Sequence, residues 1–341
     1  MPQHSPGRIA TLDGLRAFSI LIVFAAHVGG THHAPFQPWD FFADFGVRTF
    51  FIISGFLITT LLLRERTKTG SISLRSFYVR RVFRIFPAFY FYLACMVVAR
   101  ALGWIEVSNE DFAFAATYTM NFHAHRAWWV GHLWSLAVEE QFYLLWPMMM
   151  YALGTPRARN GAIVAIVCAP IFRVVATRMW PVMSDYNDQA FPFVFDSLAI
   201  GCLLAIARDT LEANKRYTAF LDSKVFWLVP ALCIGALMIE KPIFNLGVGV
   251  SLGNLGIALA IHKCVRAPDT AVGRVLEWKP LVWIGTLSYS LYLWQQPFLN
   301  RHSDAWFAAF PQNLGLAFAA AMVSYYLVEQ PVLNWRARRR R

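Results

Sequence analysis

At 341 residues, 57% hydrophobic and only 15% charged, with a mean hydropathy of +0.44, the chain is unlike an ordinary soluble domain. Its net charge of +11 would suit a nucleic-acid binder, but the positive residues lie between apolar stretches instead of on one basic face, which argues for a polytopic membrane protein and against nucleic acid as partner. Five cysteines, Cys95, Cys168, Cys202, Cys233 and Cys264, stand singly, with neither the CxxC spacing of a thiolate zinc site nor a paired framework for disulfides.

Apolar stretches near residues 14–30, 45–63, 85–104, 132–153, 160–178, 191–207, 225–240, 243–261, 281–299 and 311–331 predict an all-α bundle of about ten transmembrane helices. No amino-terminal segment reads as a cleavable signal, so the first helix is expected to be retained. Within it, Arg16 and His27 stand eleven residues apart, close to three full turns, so they share one helix face about 16 Å apart along the axis. Ionisable side chains are costly in lipid, which implies that the pair lines something together. A neutral imidazole can take a proton from a hydroxyl or thiol and return it, making His27 a candidate base; a buried histidine bonded to a backbone carbonyl is the alternative.

The second stretch carries Ser54-Gly55-Phe56, where small residues permit close helix packing. Arg64, Arg66, Lys68, Arg75, Arg80, Arg81 and Arg84 then form the densest basic segment. Guanidinium forks suit phosphates, and Arg81 and Arg84, at the entrance to the third helix, are better placed to grip them than Arg64, Arg66 and Lys68, whose density membrane sidedness alone explains. Phe112 to Phe122 is apolar but only eleven residues long, which predicts one short re-entrant or interfacial helix. With the amino terminus inside, most of the 31 Lys and Arg residues fall on the inner side. Asp40, Asp44, Glu106, Glu110, Asp111, Asp185, Asp188 and Asp304 fall outside, so both termini are expected to be cytoplasmic.

Gly131 to Pro147 places Glu139 and Glu140 about a third of the way into the fourth span. Adjacent helix residues point about 100° apart, so one carboxylate can face a cavity with His27 and orient its imidazole while the other pairs elsewhere. Ion pairs with Arg48 or Arg173 are the alternative. Asp196, Asn245 and Asn254 are further intramembrane polar groups. The run Ser288 to Pro297 mixes hydroxyls and aromatic rings, suited to holding a sugar or to an aromatic belt. There is no HExxH, and His32-His33 and His123-x-His125 lack further ligands at metal spacing, so no metal is expected. No repeat or composition shift divides the chain, which predicts a single membrane domain over 1–341 whose residues 332–341 form a short basic cytoplasmic tail against anionic lipid headgroups.

Taken in order, these segments resemble the acyltransferase-3 family of integral membrane O-acyltransferases over nearly the whole chain. The family's basic residue, ten others and a histidine are met by Arg16 and His27, its serine-glycine-phenylalanine segment by Ser54-Gly55-Phe56, and its Arg-Ile-x-Pro segment by Arg81 and Arg84 through Pro87. Its tryptophan-serine-leucine segment with a double glutamate is met by Trp134-Ser135-Leu136 and Glu139-Glu140-Gln141, its Ser-Tyr-x-x-Tyr-Leu-x-x-x-Pro segment by Ser288 to Pro297, and its close by Glu329-x-Pro331. Arg48 departs from the pattern, since many relatives have an acidic residue before the Phe-Phe pair.

The resemblance implies transfer of an acyl group, commonly acetyl, from a cytoplasmic acyl-coenzyme A to a hydroxyl, often on an extracytoplasmic or lipid-linked glycan, by a multi-pass protein of the bacterial inner membrane. His27 is then the base or acyl relay, with Glu139 or Glu140 orienting it. Arg16, Arg81 and Arg84 would hold the donor, and Trp134, Ser135, Ser288 and Tyr292 would line the substrate path. Surface polysaccharide, lipid-linked oligosaccharide, peptidoglycan and a glycosylated small molecule all remain open as acceptors. Some relatives append a soluble hydrolase-like domain, whereas this chain ends ten residues after Pro331, so acceptor chemistry is expected in or beside the membrane domain. The rival reading is a transporter or flippase using intramembrane Arg, His and Glu as a substrate or proton path; the lack of a two-fold internal repeat and the dense basic entrance favour the enzyme.

Overall fold

The computed structural model describes residues 9–37, 40–179, 189–239 and 241–339; Asp185, Asp188, Arg340, Arg341 and the side chain of Asp40 lie outside the described residues. Among those described, every regular element is helical. The chain runs through α1 (Ala10–Val28), α2 (Asp40–Thr69), α3 (Leu74–Ala101), α4 (Asn109–Ala116), α5 (Trp128–Gly131), α6 (Leu133–Met179), α7 (Phe191–Ala213) and α8 (Lys215–Asp222). It continues through α9 (Leu228–Gly235), α10 (Pro242–Phe244), α11 (Val250–Arg266), α12 (Ala271–Leu276), α13 (Lys279–Phe298), α14 (Gln312–Ser324) and α15 (Gln330–Arg338). Each of the ten apolar stretches falls on helix. Among the described residues, seven helical segments are long and apolar enough to cross a membrane.

The differences from the sequence expectation have local causes. The fourth and fifth stretches form one element, α6, broken only at Gly154, whose φ of 75° and ψ of 167° interrupt the helix just before Pro156. The seventh yields a helical segment of Leu228–Met238, short for a bilayer. α13 is 20 residues long, but Ser288, Ser290, Gln295 and Gln296 dilute its apolar character. Phe112–Phe122 gives the eight-residue α4 and a single 3-10 turn at Met120–Phe122, too short to span.

α1 packs between α2 and α13, α2 packs on α7, and α7 on α6. Large apolar side chains on α6, including Leu144, Leu145, Val164, Val167 and Phe172, point outward, as a lipid solvent permits. The α1–α13 contact sets the register of everything that follows. A Cβ on Gly285 would collide with the backbone carbonyl of Asp13, so the two helices meet backbone to backbone there. They run parallel: at the far end Trp128 packs on His27, ring centroids 6.1 Å apart, and donates to the Gln296 carbonyl at 2.9 Å. Arg16 is therefore level with Ser288.

Opposite the basic end, α4 is held by a capping box in which the Ser108 hydroxyl accepts from Asp111 N and the Asp111 carboxylate accepts from Ser108 N. Asp111 Oδ1 also accepts from Ala127 N at 3.0 Å and lies 3.2 Å from His123 Nε2, so one carboxylate closes the loop from 108 to 127. Burial pushes this carboxyl up, but the Ala127 amide, the Ser108 hydroxyl and amide, and His123 outweigh it and hold it below the usual range. A carboxylate so depressed contributes stability above its unfolded pKa of about 4, and that stability is lost as pH falls through the folded value. Asp111→Asn is expected to loosen the loop by about 1–3 kcal/mol, read as faster amide exchange over 108–127 at neutral pH. The gap from wild type should close on acidification below about pH 4.

Candidate active site

A cavity of about 740 Å³ opens at the basic end of the bundle. Its cations come from four helices that converge there: Arg16 from α1, Arg64 and Lys68 from α2, Arg80, Arg81 and Arg84 from α3, and Arg336 from α15. Glu65 answers part of this charge, accepting from Arg80 at 3.1 Å, and the buried Glu329 accepts from Ser290 at 3.1 Å with Arg84 and Arg16 close by. Arg81 is fixed by aromatic faces, its guanidinium 4.9 Å from the ring centre of Tyr143 and 5.6 Å from that of Phe77. Cations outnumber carboxylates on these walls, so the cavity suits a polyanion.

Beyond it lies a slot of about 40 Å³ lined by Arg16, Glu139, Ser135, Ser288 and Tyr292 among others. Arg16 belongs to both walls. Gly55 sits against the Leu198 carbonyl of α7. Ser54, about 100° around the helix, turns to α6. Its hydroxyl donates to Glu139 Oε1 at 2.6 Å and accepts from the Tyr143 hydroxyl at 3.2 Å. At the other wall the Ser135 and Tyr292 hydroxyls are 2.6 Å apart, and Tyr292 donates to the His132 carbonyl at 3.0 Å.

His27 stands about three turns of α1 beyond Arg16, at the end of the same face. Its Nδ1 is 2.9 Å from the Val23 carbonyl. A carbonyl can only accept, so Nδ1 carries the hydrogen, and in the neutral ring the lone pair falls on Nε2, the tautomer a base needs. His132 is within electrostatic reach, and its Nε2 lies 3.2 Å from the Leu293 carbonyl. Pro297, four residues on, has no N–H to give that carbonyl, which leaves it available to His132.

The structure brings Arg16, Arg81 and Arg84 to one cavity and Ser135, Ser288 and Tyr292 to one slot. Of the two glutamates, Glu139 lines the slot, while Glu140 lies near Arg81 and Tyr118. Glu139 is engaged at the level of Arg16 by Ser54, Arg16 and Arg81, well inward of the imidazole it was expected to orient. Arg48 bonds Asp44 at 2.6 Å, and Arg173 bonds Asp196 at 3.0 Å, so the structure gives these arginines other carboxylates. Trp134 packs edge-on against Phe51, outside the two cavities. The tail does not simply face headgroups, since Arg336 lines the wide cavity and Trp335 packs on Phe83. Sequence reasoning missed Tyr143 and Trp128 and assigned Ser54 to packing; the four-residue step from Glu139 to Tyr143 was the available signal. Among the described residues no group of three or more His, Cys, Asp or Glu could hold a metal ion.

The acyltransferase-3 family model, an acyltransferase domain, matches residues 9–329. The chain is 28% identical over 364 residues to YrhL of Bacillus subtilis, a putative peptidoglycan O-acetyltransferase, with 95% of this chain and 55% of that protein covered. It is 29% identical over 367 residues to the O-acetyltransferase OatA of Staphylococcus aureus, covering 96% and 58%, and 26% identical over 374 residues to the peptidoglycan O-acetyltransferase OatA of Listeria monocytogenes, covering 97% and 56%. The chain thus spans a little over half the length of these relatives. No solved structure matches it.

Proposed function

Since the chain belongs to the acyltransferase-3 family, we propose that it moves an acetyl group from cytoplasmic acetyl-coenzyme A to a glycan hydroxyl at the outer face of a bacterial inner membrane. The observation that carries this reading is the junction at Arg16 between a wide cation-walled cavity and a narrow, largely apolar slot that carries the Ser135, Ser288 and Tyr292 hydroxyls, on the helix face that ends at His27. A volume of about 740 Å³ is in the range of ligand-binding sites, whereas about 40 Å³ is far too small for a nucleotide. The guanidinium groups hold the donor's phosphates at the basic end, and the slot marks the direction from them along α1 toward His27. Relatives named for peptidoglycan make an envelope glycan the acceptor of choice.

In this mechanism His27 Nε2 takes the proton of the acceptor hydroxyl as that oxygen attacks the thioester carbonyl. The carbon–sulfur bond breaks, and the imidazolium returns the proton to the departing thiolate. Glu139 is a positioning residue within electrostatic reach of Arg16, its negative charge favouring the guanidinium at the junction while Ser54 and Tyr143 fix the carboxylate.

The test uses the full chain in nanodiscs with acetyl-labelled donor and a peptidoglycan fragment. Free coenzyme A thiol appearing together with labelled glycan supports the reading; solute moving across vesicles without donor consumption points to the transporter instead. Arg84→Gln is expected to raise the KM for acetyl-coenzyme A about tenfold with a smaller change in kcat, and to flatten the dependence of KM on salt.

A further inference from the structure

The bond from His27 Nδ1 to the Val23 carbonyl lies within one helix, so it fixes the ring on α1 and leaves its place relative to α13 open. With Arg16 level with Ser288 and the helices parallel, His27, eleven residues on, falls level with Leu299, just past the end of α13 at Phe298. Trp128, the first residue of α5, bridges that gap. Its indole meets the imidazole at an interplanar angle of 77°, ring centroids 6.1 Å apart. The same indole is held from the α13 side by three groups. Its Nε1 donates at 2.9 Å to the Gln296 carbonyl, one of the last four of α13, which a helix leaves without an amide partner of its own. The His302 ring stands edge-on to it at 5.2 Å, and the Arg301 guanidinium lies 5.7 Å from its ring centre. Both belong to the turn that follows α13. His302 is exposed, and His27, Trp128 and Arg301 are half-buried, so this corner opens to the outside of the bundle.

We propose that Trp128 is a positioning residue that carries the register of α13 to the His27 ring, setting where Nε2 stands relative to the Ser288 and Tyr292 wall of that helix. A ring held by one hydrogen bond can still swing about it, and a second, nearly perpendicular aromatic contact removes that freedom. The freedom matters because a general base must come within hydrogen-bond reach of the proton it takes, and a misplacement of about 1 Å can cost about a hundredfold in rate. Trp128 itself moves no proton, since its single N–H is already given to Gln296. This rests on the acetyltransferase reading, in which Nε2 serves the acceptor hydroxyl.

The experiment compares wild type with Trp128→Ala, which removes the ring, and Trp128→Phe, which keeps a ring but has no N–H for Gln296; the phenylalanine variant decides alone if the alanine one does not fold. Two quantities are measured in nanodiscs. One is acetyl transfer from acetyl-coenzyme A to a peptidoglycan fragment, and the other is the nitrogen NMR spectrum of the neutral His27 ring without substrate, assigned by its absence from His27→Ala. In wild type the ring should show a single tautomer with the hydrogen on Nδ1. Trp128→Ala is expected to lower kcat about a hundredfold and Trp128→Phe about tenfold, with the KM for acetyl-coenzyme A within about twofold of wild type. In both variants the ring should leave Val23 part of the time and show a mixture of tautomers. A folded variant with the wild-type kcat, or with the wild-type ring spectrum, overturns the proposal. A lowered unfolding temperature with an unmoved ring spectrum also overturns it and assigns Trp128 to anchoring the loop. Wild-type protein that transfers no acetyl group, in which the ring spectrum still depends on Trp128, overturns the acetyltransferase reading and upholds the positioning of the ring.

Discussion

His27→Ala is expected to unfold at the wild-type temperature yet lose about a hundred- to ten-thousand-fold in acetyl transfer, the range spanned by removal of a general base. Stability should hold because the ring is only half-buried and its bond to Val23 joins residues of one helix turn. Activity should fall because that same bond places the lone pair on Nε2, and alanine supplies no substitute. His27→Gln should not restore the rate, since a carboxamide is too weak a base to take a hydroxyl proton. A wild-type sample given labelled donor without acceptor separates the two roles open to the imidazole. Label retained on wild type and missing from the variant makes the ring an acyl carrier, and no label on either makes it a base. Native-rate transfer by a folded alanine variant would end the enzyme reading.

The second large effect is structural. Arg173, on the second arm of α6, is 1% exposed, donates to Asp196 and Ser251 at 3.0 and 3.1 Å, and also bonds the Leu246 and Phe193 carbonyls. It joins α6 to α7 and α11 through one guanidinium whose charge is answered by a carboxylate that is itself 2% exposed. Arg173→Ala leaves Asp196 buried without its cation, which should cost about 3–5 kcal/mol. The double variant Arg173→Met with Asp196→Leu removes both charges and should recover most of that loss. Unfolding in detergent, followed by tryptophan fluorescence, checks both. A single variant as stable as wild type would mean that the pair contributes nothing.

Hydropathy carried the architecture, because lipid demands long apolar helices whatever packs against them. Periodicity carried the face shared by Arg16 and His27, and the four-residue step from Ser288 to Tyr292 placed both on one wall. What it could not carry was the choice of partner across helices. Ser54 and Glu139 are 85 residues apart, and nothing in either segment says that this hydroxyl meets this carboxylate. The same limit hid the exchange by which Arg48 and Arg173 took Asp44 and Asp196 and left Glu139 to the arginine cluster. Gly154 reads as an ordinary small residue until its backbone angles show where α6 breaks. The register of α1 on α13 depends on one missing Cβ at Gly285, which composition treats like any other glycine.

A single guanidinium, that of Arg16, forms part of both chambers, so on the proposed reading retention of a polyanion and passage of its arm would be governed by the same side chain. Evolution can retune the outer cations one at a time and alter only how tightly the anionic end is held. At this doorpost, on the same reading, a substitution of Arg16 would reach both at once.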